Sequence, residues 1–251
     1  MDAKIAVITG GSRGLGKNTS IALAKKGHDV ILTYNSKKEE AEEVVRTIES
    51  LGRKAVALQL DVSSIKNFPA FAAQVAEVLK MKFNRERFDF LINNAGIGIN
   101  APLAEVTEEQ FDTLVNIQLK SVVFLTQKML PLLNDGGRIV NISTGLTRFT
   151  LPSYGVYAAM KGAIETLTKY MAKEFGARGI SVNAVAPGAI ETDFTKNSLG
   201  NPQVRQVIVS NTALGRAGQP DDIGGVIAGL LSEENRWITA QRIEASGGMF
   251  L

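Results

Sequence analysis

The chain has 251 residues, 45% hydrophobic and 21% charged, with a formal net charge of +3. That is ordinary globular composition, within reach of one α/β domain, and a basic excess this small, with no Lys/Arg block, gives no argument for nucleic acid or an acidic membrane surface. With no cysteine and a single histidine, His28, disulfides, thiolate chemistry and His clusters are excluded, so no metal site is expected.

The N-terminus MDAKIAVITGG lacks a signal-peptide pattern and no apolar run reaches membrane-spanning length, so a soluble cytoplasmic protein is expected. KIAVIT (4–9) is a short β-rich run, and LGKNTSIALAKKG (15–27) follows with helix formers and a terminating Gly27. DVILTY (29–34) is the next strand, and SKKEEAEEVVRTIESLG (36–52) is an amphipathic helix with a charged outer face. KAVALQL (54–60), FDFLIN (88–93), GRIVNI (137–142) and GISVNAV (179–185) have strand length, and QRIEA (241–245) is a weaker run. Apolar strands joined by helices predict one α/β domain over 1–251: a Rossmann-like, doubly wound parallel sheet of about seven strands, covered on both faces. The segment 189–218 is the one long irregular stretch and is expected to be a substrate lid.

TGGSRGLG (9–16) lies directly after the first strand and opens the first helix. Gly10, Gly14 and Gly16 let the backbone turn tightly and approach a ligand, and the helix N-terminus offers N–H groups to a diphosphate. The spacing is G-x-x-x-G-x-G, not G-x-G-x-x-G. Gly10, Ser12, Arg13, Gly14, Leu15 and Gly16 are therefore candidate cofactor contacts.

TGGSRGLG, NNAG (93–96), YAAMK (157–161) and PG (187–188) occur in this order and at matching intervals. Together they resemble the short-chain dehydrogenase/reductase family, in the style of its 3-oxoacyl-carrier-protein reductases, and the resemblance covers the whole chain. It implies an oxidoreductase that moves a hydride between a nicotinamide and a carbonyl or secondary alcohol.

Tyr157 and Lys161 are spaced i, i+4 and share a helix face, whereas Tyr154 lies seven residues from Lys161, near the helix entrance. An ammonium beside a phenol favours the phenolate, although the spacing alone fits equally a surface aromatic beside a salt-bridging lysine; with the glycine loop, the resemblance implies Tyr157 as the general acid/base. The family match adds a grip on the nicotinamide ribose by Lys161. It also places a substrate-orienting hydroxyl thirteen residues before the tyrosine, at Thr144, with Ser143 the adjacent alternative. Where relatives often carry a relay asparagine, this chain has Gln118; Asn116, two residues away on a helix, points elsewhere.

The resemblance also places Asp61 and Val62 at the adenine, the backbone of Asn93, Ala95 and Gly96 along the riboses, and Pro187, Gly188, Ile190 and Thr192 at the nicotinamide. After the second strand stand Tyr34, Asn35, Ser36, Lys37 and Lys38, with no acid to repel a 2′-phosphate. NADP(H) is thus expected over NAD(H), held by Arg13 and by Asn35, Ser36 or Lys37. The substrate pocket is expected from 97–103, 146–154 and the lid, with Arg148 and Phe149 hinting at a partly polar ligand. The resemblance further implies a homotetramer or homodimer burying the helices at 110–130 and 158–175, with ASGGMFL near an interface. Two other functions fit less well: an NADP(H)-binding regulator without efficient turnover, and a sugar-nucleotide epimerase or dehydratase, which usually carries an extra substrate domain.

Overall fold

The structure, a computed structural model, describes residues 3–251. Seven strands, β1 (Ile5–Ile8), β2 (Asp29–Tyr34), β3 (Ala55–Gln59), β4 (Phe88–Asn93), β5 (Leu133–Ile142), β6 (Ser181–Pro187) and β7 (Arg242–Ala245), form one sheet in the order β3-β2-β1-β4-β5-β6-β7. Every pairing is parallel. This is the doubly wound, Rossmann-like sheet that the apolar runs predicted. The central strands are apolar throughout because both of their faces are covered, and successive residues serve opposite faces. Along β1, Ile5 and Val7 join the core shared with α3 (Phe68–Val78), α5 (Ser121–Met129) and α6 (Gly155–Phe175). Ala6 and Ile8 join the opposite core, shared with α1 (Gly14–Lys25), α2 (Lys38–Ser50) and α9 (Pro220–Leu230).

β5 starts at Leu133, ahead of the expected run, because Leu133 pairs with Phe88 across a register shift. α4 (Glu108–Leu114) continues into α5 through a π-helical turn, Val115–Lys120. The excursion 189–218 is not irregular: it holds α7 (Lys196–Leu199) and α8 (Pro202–Ser210). Asn201 caps α8 by accepting from the Gln203 amide at 2.9 Å, and Pro202 sits at the first turn, where its missing N–H costs nothing. The excursion is pinched at its base, where the Glu191 amide donates to Gly218 O at 2.8 Å, and it has its own small core of Leu199, Ile208, Ala217 and Met249. The strand order reverses between β1 and β4, and a cleft opens at the C-terminal ends of the strands there.

Candidate active site

The cleft has a volume of about 720 Å³ and runs from the β1–α1 and β2–α2 turns to the space beneath α7 and α8. At one end the glycine loop folds back on itself. A Cβ on Gly16 would lie 2.1 Å from Gly10 O and 2.6 Å from Asn94 Nδ2, so only glycine fits there. Asn94 Nδ2 donates to Thr9 O at 2.8 Å and to Gly10 O at 3.1 Å, bracing the loop from β4. Arg13 occupies the N-cap of α1 with extended backbone, no side-chain cap and no acid in the first turn. The first amides of α1 are therefore left for an anion, and a cradle this narrow fits a diphosphate.

Gly10, Ser12, Arg13, Gly14, Leu15 and Gly16 line this end, as do Asn35, Ser36, Lys37, Asp61 and Val62. The Arg13 guanidinium lies 3.6 Å from Asp193 in the excursion, and both side chains are exposed. Ala95, Gly96, Pro187, Gly188, Ile190 and Thr192 also line the cleft. Asn93 does not. Its amide turns into the core and donates to Asn141 Oδ1 at 2.8 Å and Thr126 Oγ1 at 3.1 Å, because β4 alternates faces and Asn93 takes the inward one. Asn94, which the sequence reading passed over, is the neighbour that faces the cleft.

At the centre, Tyr157 and Lys161 are buried one turn apart on α6. The Thr144 hydroxyl is the side chain that bears on the Tyr157 phenol, and Lys161 Nζ donates to Ile142 O at 2.8 Å, lying 5.8 Å from the centroid of the Tyr157 ring. Burial pushes the Tyr157 phenol up, and the Thr144 hydrogen bond offsets only part of that. Burial also pushes the Lys161 ammonium down to about 7. The expected lowering of the phenol by the ammonium is thus not what the chain's own atoms produce; desolvation outweighs it. Ser143 has its hydroxyl committed to Glu165 at 2.6 Å, and of the pair only Thr144 bears on the Tyr157 phenol.

Gln118 is buried in the π turn, where Nε2 donates to Ile97 O and Oε1 has no hydrogen-bond partner among the described residues. A Cβ on Gly96 would lie 2.9 Å from that oxygen, so the longer amide fills the space glycine leaves. Tyr154 occupies the N-cap position of α6 without a side-chain cap, and its hydroxyl accepts from Asn100 Nδ2 at 3.2 Å. Ile97, Leu146, Phe149, Leu151 and Tyr154 wall the far end of the cleft. Arg148 is not available to a ligand: it grips Glu244 through two bonds, at 2.8 and 2.7 Å, and the carbonyls of Met249 and Phe250. Phe194, which no spacing singled out, brings its ring 6.0 Å from that of Tyr157.

A family model described as enoyl-(acyl carrier protein) reductase matches residues 10–250. The chain is a short-chain dehydrogenase/reductase. This reductase is 38% identical over 250 residues to an uncharacterised oxidoreductase of Methylorubrum extorquens, covering 99% of this chain and 98% of that one. It is 33% identical to a hydroxynaphthalene reductase-like protein of Metarhizium brunneum, over 98% of this chain and 94% of the other. Among solved structures it superposes on the angucycline C-6 ketoreductase LanV with bound NADP at a TM-score of 0.93, with 34% identity, covering 98% of this chain and 95% of that one. It is accordingly an NAD(P)-dependent oxidoreductase acting on C=O or CH–OH groups. No described helix is long and apolar enough to cross a membrane.

Proposed function

We infer that the protein is an NADPH-dependent ketone reductase in which Tyr157 is the proton donor. The observation that carries this is the buried cluster of Tyr157, Thr144 and Lys161 in one cleft with the glycine loop. The nicotinamide, when bound, supplies the hydride. Thr144 and Tyr157 offer their hydroxyls to the substrate oxygen, and Tyr157 passes its proton to that oxygen as alkoxide charge develops. Raised by burial, the phenol holds its proton until a strong base forms beside it. Lys161 holds the nicotinamide ribose, and its lowered value suits it to restoring a proton near neutral pH.

Preference for NADPH is supported by the missing acid at 34–37 and by Arg13 in the loop. Asn35, Ser36 or Lys37 completes the phosphate site, Asp61 and Val62 lie along the adenine, and Ala95, Gly96, Pro187, Gly188, Ile190 and Thr192 flank the riboses and nicotinamide. The excursion 189–218 acts as a lid carrying Phe194 over the reacting centre. The substrate is a neutral, bulky ring ketone. The charged side chains Arg13, Lys37, Asp61 and Asp193 cluster toward the glycine-loop end, and beyond Lys161 the opposite end of the cleft is walled by apolar groups. One relative is named as hydroxynaphthalene reductase-like and another as an angucycline C-6 ketoreductase, both names being of fused-ring compounds, which fits that wall. Oxidation of NADPH followed against tetralones, aliphatic ketones and acyl thioesters tests this reading. Turnover concentrated on the fused-ring ketones supports it, and turnover of thioesters alone overturns it.

A further inference from the structure

The loop that carries Thr144 leaves the sheet where β5 ends at Ile142, so the Thr144 carbonyl has no strand to pair with. It accepts instead from Arg242 Nη2 at 3.1 Å, with the Thr147 hydroxyl oxygen 3.0 Å away. Thr147 belongs to the same loop; Arg242 comes from the edge strand β7. Arg242 and Glu244 project from one face of β7, while Ile243 and Ala245 pack into the core on the other face. Arg242 Nε meets Glu165 of α6 at 2.7 Å, and Nη1 meets Glu244 at 2.9 Å. Glu165 gathers the Ser143 hydroxyl at 2.6 Å and the Thr147 hydroxyl at 2.7 Å. Glu244 then carries the line on to Arg148 at 2.7 Å. Two carboxylates and two guanidiniums so alternate along the back of the loop, three of them below a quarter exposed.

We propose that Arg242, anchored by Glu165, is a positioning residue that sets the Thr144 hydroxyl against the Tyr157 phenol. A planar guanidinium held at both ends fixes a carbonyl in direction as well as distance, which a lone surface cation does not. A hydroxyl that must meet a developing alkoxide loses its effect when displaced by about an ångström. Residue 242 is ninety-eight positions from residue 144, and the two meet only because β7 closes the sheet beside β6.

The proposal rests on Thr144 orienting the substrate oxygen, and a double-mutant cycle separates the two ideas. Thr144→Ala, Arg242→Met and the double variant are assayed for kcat, for ketone KM and for NADPH binding by fluorescence. Thermal melting checks that each is folded. Arg242→Met should lower kcat roughly tenfold with NADPH binding within about twofold of the parent, and should cost little more in the Thr144→Ala background. Should Arg242→Met fold poorly, the near-isosteric Glu165→Gln carries the same expectation at smaller size. If Thr144→Ala lowers kcat while Arg242→Met does nothing, acts additively or alters only KM, the positioning role is overturned and the catalytic reading survives. If Thr144→Ala leaves kcat unchanged, both fail.

Discussion

At the scale of single residues, the phenol of Tyr157 and the ammonium of Lys161 are the two groups that burial moves furthest. Replacing Tyr157 by Phe removes one oxygen and no core volume, so the fold and NADPH binding should persist while turnover falls by about 10²–10⁴. Tyr154→Phe should leave kcat within a few-fold, since Tyr154 sits at the helix start bonded to Asn100. Steady-state assays of both variants decide the matter, and near-normal turnover in Tyr157→Phe would sink the assignment. Lys161 has a pH signature in stability. Its folded value is about 7 against an ordinary 10.5, so above pH 7 the folded chain sheds a proton that the unfolded chain keeps. Stability from this group is therefore fully present above the unfolded value and is lost as pH falls toward 7. The slope is at most about 1.4 kcal/mol per pH unit. Denaturant unfolding of the cofactor-free protein at pH 7, 8 and 9 should show the wild type gaining on Lys161→Met as pH rises; a constant difference would rule the shift out.

At the scale of elements, the glycine loop and the excursion 189–218 face each other through Arg13 and Asp193. If Arg13 holds the 2′-phosphate, Arg13→Ala should weaken NADPH by roughly tenfold or more, about 1.5–3 kcal/mol for a charge-assisted bond, and barely change NADH. Asp193→Asn removes a competitor for the same guanidinium, so it should leave NADPH binding equal or tighter. Titrations of both cofactors check these outcomes; equal weakening of both by Arg13→Ala would make Arg13 a loop residue only. The helices of the excursion show how much of such an element is legible. Asn201 followed by Pro202 is a helix start written in the sequence, overlooked because the short run QVRQVIVS has little apolar periodicity. The π turn at Gln118 had no local signal at all, since the extra residue is absorbed by packing against Gly96 and Ile97.

At the scale of the whole molecule, the outer faces of α4, α5 and α6 leave large side chains in water: Phe111 at 44%, Phe124 at 37% and Tyr170 at 64% exposure. These are the helices expected to meet a second copy of the chain. Light scattering at micromolar concentration should give a dimer or tetramer, and Phe124→Glu with Tyr170→Glu should shift it toward monomer. A monomeric wild type would remove that expectation.

Strand positions, the sheet class, the glycine loop and the Tyr157–Lys161 pair were all readable because each is a local signal. Apolar runs report burial on both faces, glycine reports where a side chain cannot fit, and i, i+4 spacing reports one helix face. Thr144 was legible as a position but not as a choice, because Ser143 beside it carries the same hydroxyl; the direction of the strand end and the pull of Glu165 separated them. Arg148 was misread because residue type suggests a ligand, while a partner distant in sequence, Glu244, had already engaged it; the Asn93 side chain is likewise taken by Asn141, which bears on its amide and not on the backbone contact the resemblance implied. The balance of charge at Tyr157 was also beyond the sequence, because desolvation depends on everything packed around the phenol. What the tertiary structure alone decided is the set of contacts between residues far apart in the chain, from the Phe194 ring over Tyr157 to the Arg242 guanidinium behind Thr144. No spacing encodes these contacts; they exist because a parallel sheet brings the ends of separate strands to one edge.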